Sequence, residues 1–403
     1  MVSDSPVVLA QDTADKYPFI RTDLNRIDAP DSLSALSSFW EAFHNMMLYK
    51  DEQLHIVHFG GSHIQADIYT HVLRAAFQHI DSDVPGARGF LFPYSAAHTN
   101  NPYNYKVDYS GEWDGHRSSV SSHQADWGVV GVTATTNDLQ PQITITFRDT
   151  LNPVSINRLL VMTDATDSTY VLQVNRIPHL VKTDTTAEGY WLLYFDATID
   201  TIVLPFERMN DTAVLSFFGC IAENNQAGIT YHALGVNGSS FKSFERCARF
   251  SEQLPYLHPD LVVISIGTND TSDPDFDAEA YKRRYGEFIR KVLEVNPQCA
   301  LLLTVPNDSY IRRKYHNKNL VAARAAIYEL AAEYHAGVWD LYSIMGGAYS
   351  AKKWRNAGLM KTDLVHFTRE GYEMKGAFMF DAMMADYDNW LVQHGYIDES
   401  SGR

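Results

Sequence analysis

Short apolar runs alternate with helical patterns in the first and last parts of the chain. Four runs have the length of buried strands: residues 54–59, 261–266, 300–305 and 338–341. Helical periodicity lies between and after them, at residues 64–80, 278–295, 320–334 and 369–391, with Thr368 as the expected N-cap of the last helix. Strands that alternate with helices predict an α/β fold built on a doubly wound parallel sheet.

The middle of the chain follows a different pattern. Between residues 92 and 227, apolar and polar positions alternate in segments such as 142–147, 159–162 and 201–204, with polar turn residues between them. This pattern predicts an all-β sandwich insertion. Residues 229–235 then resume the parallel-strand pattern. We therefore expect an α/β domain split into residues 1–92 and 228–403, around a β insertion at residues 93–227.

Composition narrows the classes of partner. Hydrophobic residues make up 45% of the 403 positions, which is enough to build a sizeable core. A formal net charge of −16 disfavours nucleic acid, whose phosphates require clustered Lys and Arg. No apolar run approaches the roughly 20 residues of a membrane span, so we expect no membrane insertion. Residues 1–16 lack a signal-peptide pattern, which leaves export through a removed signal open.

Neither cysteine nor histidine spacing predicts a metal or a cofactor. The three cysteines, at positions 220, 247 and 299, are expected to be buried free thiols, with a single disulfide as the alternative. The acidic segment 270–277 does not have the spacing of a calcium-binding EF-hand loop and precedes a predicted helix. The histidines of the first part have no evident zinc-ligand register and are interpreted as structural: His55, His58, His63 and His71.

Ser62 follows the first predicted strand, in the segment Phe59-Gly60-Gly61-Ser62-His63. Open α/β sheets bind ligands at the carboxyl ends of their strands. Small glycines permit a tight turn there, and the N-terminus of the following helix can stabilise a developing oxyanion. Ser62 is therefore a candidate nucleophile. The alternative is that it only caps the helix, because Ser is a favoured N-cap residue.

Two further segments carry suitable chemistry. Gly267-Thr268-Asn269 closes the strand at residues 261–266, and the amide of Asn269 can donate to an oxyanion, although these residue types also favour ordinary turns. Asp363 and His366 precede the last long helix, and their three-residue spacing lets the carboxylate accept the imidazole N–H. An Asp that orients a His in this way supports a general base.

Four segments, in order along the chain, resemble the sequence blocks of the SGNH (GDSL-like) hydrolase superfamily: Gly60-Gly61-Ser62, Gly235-Val236-Asn237-Gly238, Gly267-Thr268-Asn269 and Asp363-Leu364-Val365-His366. The resemblance covers the α/β portion and implies a flavodoxin-like three-layer fold. It also implies a triad of Ser62, Asp363 and His366. The oxyanion hole would comprise the N–H groups of Ser62 and Gly238 together with Asn269. Gly238 is preferred to Gly235 because it is the second glycine of its block.

The first block departs from the family pattern. The family usually has Asp before the serine, where this chain has Gly61, and this puts the geometry of that loop in question. Nucleophile, base and oxyanion donors all remain. The Gly-x-Ser-x-Gly motif of α/β-hydrolases is absent around Ser62.

The β insertion after the first block resembles that of bacterial peptidoglycan O-acetylesterases, which carry a carbohydrate-binding-like module. The segment from Ser62 to Asp67 resembles those enzymes as well. Aromatic side chains in the insertion could stack on sugars, although large aromatics more often fill a core: Tyr103, Tyr105, Trp113 and Trp127.

These features predict an exported serine esterase of the periplasm or cell envelope that deacetylates a glycan, with peptidoglycan as the leading substrate, without a cofactor. Acetylxylan or another polysaccharide is the nearest alternative substrate. An alternative of another class is a glycan-binding protein with a degenerate hydrolase domain, suggested by Gly61 and the insertion.

Overall fold

A computed structural model describes Thr13 and residues 15–30, 34–149 and 154–398. Most of residues 1–16, where no signal-peptide pattern was found, lies outside the described residues. The described α-helices are α1 (Ser37–Tyr49), α2 (Ser62–Gln65), α3 (Tyr69–Gln78), α4 (Phe241–Glu245), α5 (Phe250–Gln253), α6 (Thr268–Thr271), α7 (Ala278–Val295), α8 (Asn319–Tyr334), α9 (Leu341–Ile344), α10 (Ser350–Asn356) and α11 (Arg369–Gln393). Short 3-10 helices lie at Thr22–Leu24, Val174–Arg176 and Leu254–Leu257.

The strands of the described chain belong to parallel and antiparallel arrangements. In chain order they are β1 (Ile27–Asp28), β2 (Gln53–Gly60), β3 (Gly89–Leu91), β4 (Tyr105–Ser110), β5 (Asp114–Arg117), β6 (Val132–Thr136), β7 (Gln142–Phe147), β8 (Ile156–Thr163), β9 (Tyr170–Leu172), β10 (Leu180–Thr185), β11 (Trp191–Ile199), β12 (Thr201–Arg208), β13 (Leu215–Glu223), β14 (Gly228–Gly235), β15 (Pro259–Ser265), β16 (Ala300–Val305), β17 (Tyr310–Ile311), β18 (Tyr315–His316) and β19 (Gly337–Asp340).

The chain packs into two compact units, each assembled from separate stretches of sequence. The first unit comprises the described residues up to His44, residues 68–76 and the described residues from Asp260 onward. The second unit comprises residues 45–67 and 77–259. The predicted division into a split hydrolase domain and an insertion at residues 93–227 remains a prediction.

In the first unit, β15, β16 and β19 run parallel, and β1 pairs antiparallel with β19. The strands are rich in fully buried apolar side chains, such as Val263 and Leu302, because helices cover parallel sheets. Thr368 caps α11, since its side chain accepts a hydrogen bond from the N–H of Gly371, as predicted.

In the second unit, β2 and β14 form a parallel pair in continuous register from Gln53 and Gly228 to Gly60 and Gly235. The rest is antiparallel: one sheet has the order β10-β11-β8-β13-β6-β5, with β3 also on β13, and another has the order β4-β7-β12-β9. Side chains of the two sheets meet, as where Trp191 contacts Phe206 at 5.9 Å between ring centroids. Parallel strands with a β-rich insertion confirm the predicted fold class.

The predicted helix at residues 64–80 is wrong in one respect, because it is two helices, α2 and α3. The chain breaks at Asp67, whose φ of 45° is left-handed. The buried Asp67 carboxylate accepts hydrogen bonds from Arg88 at 2.7 Å and Asn104 at 2.8 Å. These bonds fix Asp67 in a conformation that interrupts the helix. Strand β1 and helix α1 were not predicted.

Candidate active site

Ser62 is the first residue of helix α2, immediately after strand β2. The N-cap is Gly61, whose carbonyl accepts hydrogen bonds from the N–H groups of Ile64 at 3.1 Å and Gln65 at 3.0 Å. The alternative interpretation of Ser62 as the N-cap residue is therefore wrong. Its half-buried side chain lies at the N-terminal turn of the helix, where backbone N–H groups carry partial positive charge.

The two glycines at the end of β14 have different structural roles. A Cβ on Gly235 would lie 2.2 Å from the backbone nitrogen of Gln65, so this glycine permits β14 to approach helix α2. Gly238 is exposed and has a φ of 81°, which favours glycine, while a Cβ there would meet only Ser119 at 3.7 Å. Packing therefore requires Gly235, and backbone conformation favours Gly238.

Gln65 is a positioning residue to which the sequence analysis gave no role. Its buried side-chain oxygen accepts a hydrogen bond from the N–H of Asn237 at 2.6 Å. Its amide nitrogen donates to the Thr99 hydroxyl at 3.1 Å and to the Asn100 carbonyl at 2.8 Å. Gln65 thus connects the helix that begins at Ser62 with the loop that carries Gly238. The only sequence signal was its place in the segment from Ser62 to Asp67.

Asn269 belongs to the short helix α6 in the first unit. Gly267 precedes it with a φ of 141°, and a Cβ there would lie 2.7 Å from the Tyr281 hydroxyl and 2.9 Å from Pro306. The N–H of Thr271 donates to the Gly267 carbonyl at 2.9 Å and closes the turn. A glycine is therefore needed to present the half-buried Asn269.

Asp363 and His366 form the predicted pair. The Nδ1 atom of His366 lies 3.0 Å from Asp363 Oδ2, and the N–H groups of Val365 and His366 each donate to Asp363 Oδ1 at 2.9 Å. Leu364 adopts a left-handed φ of 59°, which curls the loop so that three residues suffice to bring the side chains together.

The charge of Asp363 defines the orientation of the imidazole. Partial burial alone would raise the pKa of Asp363, but hydrogen bonds from the His366 backbone and imidazole and from the Val365 N–H lower it overall. The carboxylate is thus ionised at neutral pH and accepts a hydrogen bond from the Nδ1–H of His366, which leaves Nε2 as the basic nitrogen. This arrangement suits a general base.

The five predicted site residues are divided between the units. Ser62 and Gly238 lie in the second unit, on helix α2 and the loop after β14. Asn269, Asp363 and His366 lie in the first unit. There, the side-chain amide of Asn307, next to Pro306 in the loop after β16, donates to the Val365 carbonyl at 3.2 Å. The loops that carry Asn269 and His366 are therefore connected through residues 306–307.

Other predicted features have plain structural roles. Tyr105, Trp113 and Trp127 are buried in the insertion, whereas Tyr103 is exposed. All three cysteines are buried free thiols, as predicted. Asp277 caps helix α7 by accepting from the N–H of Ala280.

Among the described residues, no group of three or more His, Cys, Asp or Glu side chains could hold a metal ion. No helix in the same residues has the length and apolarity to cross a membrane.

Comparison with known proteins agrees with the fold. Residues 214–374 match the model of the GDSL-like Lipase/Acylhydrolase family, a span that includes Gly238, Asn269, Asp363 and His366 but not Ser62. No curated protein matches this chain. One similar solved structure is a peptidoglycan O-acetylesterase, with a TM-score of 0.74 and 20% identity over 90% of this chain and 99% of that one. An acetyl xylan esterase has a TM-score of 0.33 and 20% identity over 38% of this chain and 81% of its own. A GDSL-like lipase from Bacteroides thetaiotaomicron has a TM-score of 0.32 and 24% identity over 39% of this chain and 76% of its own.

The first of these similarities spans almost the whole of both chains, so the two proteins share a fold, including the β-rich insertion. Residues 214–374 thus resemble the GDSL-like Lipase/Acylhydrolase family in sequence, and the chain as a whole has the fold of the similar peptidoglycan O-acetylesterase structure.

Proposed function

We propose that this chain is a serine esterase that removes O-acetyl groups from a glycan, with peptidoglycan as the leading substrate. The observation that carries the proposal is the Asp363–His366 pair, with 3.0 Å between carboxylate and imidazole. An ionised, hydrogen-bonded Asp beside a half-buried His is the arrangement that a general base requires. A degenerate, non-catalytic domain would have no need of this pair.

In the proposed reaction, His366 Nε2 takes the proton of the Ser62 hydroxyl as its oxygen attacks the acetyl carbonyl. The N–H groups of Ser62 and Gly238 and the Asn269 amide stabilise the oxyanion. Protonated His366 then gives its proton to the departing sugar hydroxyl, which leaves an acetyl group on Ser62. Finally, His366 activates a water molecule, which releases acetate and restores Ser62.

Two arguments support an acetylated glycan as the substrate. The similar peptidoglycan O-acetylesterase matches this chain over 90% of its length, including the insertion. The insertion is rich in Thr, Asp and Asn, which suits a hydrated polymer better than a long acyl chain. We therefore propose a preference for acetyl over longer acyl esters, and a site of action at the cell envelope.

The test measures acetate release from O-acetylated peptidoglycan, together with hydrolysis of aryl acetate and aryl octanoate. Ser62→Ala should lower every rate by several orders of magnitude, whereas Ser168→Ala, at an exposed serine of the insertion, should not. Asn269→Ala should lower kcat by roughly 10²-fold with less effect on KM, because an oxyanion donor acts on the transition state.

Three results would contradict this proposal. Full activity of the Ser62→Ala variant would show that Ser62 is not the nucleophile. Faster cleavage of octanoate than of acetate would exclude the short-acyl preference. If the enzyme cleaves aryl acetate but releases no acetate from O-acetylated peptidoglycan, peptidoglycan is not its substrate.

A further inference from the structure

A small β-hairpin in the first unit carries three consecutive cations. Strands β17 and β18 pair Tyr310 with His316 and Ile311 with Tyr315, and residues 312–314 form the exposed tip, Arg312-Arg313-Lys314. In a chain with a net charge of −16, this is a local reversal of sign. Tyr315 beside the tip is 57% exposed.

The cations of the tip differ from other surface cations in their surroundings. Lys106 and Lys182 pair with neighbouring aspartates at 2.6 Å. Within the described residues, no ion pair forms at Arg312, Arg313 or Lys314; Lys314 instead lies over the Tyr315 ring, 5.2 Å from its centroid. The positive charge of the tip is therefore not neutralised within the described part of this protein.

The hairpin is rigidly attached at its base. The buried Asp308 carboxylate lies 2.8 Å from Nε2 of His316 and accepts a hydrogen bond from the N–H of Ala351 at 2.9 Å. The His316 ring also packs 4.3 Å from that of Tyr349, which is 57% exposed. These contacts fix β18 against the start of helix α10 and place a second exposed aromatic ring beside it.

The tip of the hairpin and the residue before helix α10 adopt backbone conformations that their residue types do not favour. Arg312, Arg313 and Tyr349 have left-handed φ angles of 51°, 60° and 67°. Such a backbone is strained for a residue other than glycine, and strain of this kind clusters at functional sites.

The end of the hairpin that is attached to the fold contacts the loop of His366, the candidate general base. The N–H of Tyr310 donates to the Leu364 carbonyl at 3.1 Å, and the Asn307 amide donates to the Val365 carbonyl at 3.2 Å. Leu364 and Val365 are the two residues between Asp363 and His366. The contacts that hold the hairpin thus also hold the loop of the catalytic pair.

We propose that Arg312, Arg313, Lys314, Tyr315 and Tyr349 form a subsite for a carboxylate-bearing saccharide next to the acetylated sugar, here called the hairpin subsite. The inference rests on the proposed function and narrows its substrate to an anionic glycan. Flat tyrosine rings offer apolar faces to sugar rings. Guanidinium groups match carboxylates with two parallel hydrogen bonds. A neutral glycan, such as acetylxylan without acidic substituents, would contact only the tyrosine rings of this subsite.

The test is a binding measurement that does not require catalysis. Deacetylated, carboxylate-bearing peptidoglycan fragments are titrated into the wild-type protein and into the triple variant R312Q/R313Q/K314Q. Glutamine is an uncharged polar residue, and all three positions are exposed, so the fold should persist. Loss of three exposed charge pairs should raise Kd by roughly tenfold and weaken its dependence on salt. A matched control is R283Q/R290Q/K291Q on helix α7, which removes the same charge and should leave Kd unchanged.

A second variant tests the ring contribution. Tyr349→Gly accommodates the left-handed backbone and removes the ring, and it should weaken the binding of acidic and neutral fragments alike. If the triple variant binds acidic fragments as tightly as wild type, or if it loses affinity equally for neutral xylan fragments, the inference is wrong. Because binding is measured without turnover, an inactive Ser62→Ala protein should still bind, which separates failure of this inference from failure of the proposed function.

Discussion

Lys375 is a buried lysine that forms no ion pair with a carboxylate of the described residues. It lies on helix α11 at 5% exposure, with Nζ 3.8 Å from the centroid of the Tyr69 ring. Removal from water lowers the pKa of Lys375 to about 7, against 10.5 ordinarily. At neutral pH this residue is therefore near its titration midpoint in the folded protein and charged in the unfolded chain.

This pKa predicts a stability that rises with pH. Between pH 7 and 10.5 the unfolded chain binds more protons at this residue, so the free energy of unfolding should gain about 1.4 kcal/mol per pH unit. Lys375→Met removes this dependence. It should stabilise the protein most at pH 7 and below, with an advantage smaller by about 2 to 3 kcal/mol at pH 9. Urea unfolding at pH 6 and pH 9 measures the difference.

The exposed Lys318 supplies the control, since Lys318→Met should change stability equally at both pH values. An advantage of Lys375→Met that does not vary with pH would mean that Lys375 keeps its charge in the folded state.

Residues differ in how much of their role the sequence could predict. Asp363 and His366 were predicted because they lie three positions apart, and the curl of one loop decides their contact. The role of Gln65 was not predicted, because its hydrogen bond to Asn237 joins residues 172 positions apart. The sequence pattern shows the spacing of residues that are close along the chain. It does not show which distant loop a side chain contacts.

At the scale of elements, the contact between β14 and helix α2 depends on the lack of a side chain at Gly235. The same strand end leads into the loop of Gly238, so one short segment contains two glycines with different requirements. Substitution of Gly235 tests the effect of packing on stability, and substitution of Gly238 tests the effect of backbone conformation.

Gly235→Ala should be the more damaging of the two changes. Its methyl group would overlap the backbone of α2, which cannot shift without moving Ser62, so we expect a loss of about 2 to 3 kcal/mol and a lower kcat. Gly238→Ala should cost about 1 kcal/mol, since it strains only φ. Urea unfolding and aryl acetate turnover of both variants provide the comparison. Equal stability losses would show that α2 adapts to the methyl group.

Element prediction succeeded where pattern alone decides the outcome. The period-two segment at residues 142–147 coincides with β7, and the helical pattern at residues 278–295 coincides with α7. It failed at Asp67, because the partners that interrupt the helix, Arg88 and Asn104, come 21 and 37 residues later. Helix α1 went unpredicted although Phe39, Trp40 and Phe43 recur at helical spacing and are buried.

At the scale of the whole molecule, the three thiols report on the opening of each unit. Cys299 belongs to the first unit, and Cys220 and Cys247 belong to the second; all are buried. Burial raises the pKa of Cys220 and of Cys299 to about 12, so neither is a reactive thiolate at neutral pH.

The folded protein should therefore react with an aromatic disulfide reagent roughly 10³-fold or more slowly than the unfolded chain. Variants that retain a single cysteine, at position 220 or 299, would report the two units separately. Absorbance of the released thiol gives the rate in increasing urea. Rapid labelling of either position in buffer alone would contradict its burial.

The connections of the N-terminal segment have a consequence for synthesis of the chain. The indole of Trp40 on helix α1 donates to Asp386, 346 positions later. Ribosomes add roughly 5 to 20 residues per second, so about 20 to 70 s pass between translation of the two residues. During that interval the aromatic face of α1 has no Asp386 or Tyr387 to contact. The aromatic face of α1 can therefore complete its packing only after residues 386–387 have been added, many seconds after Trp40 and Phe43 themselves.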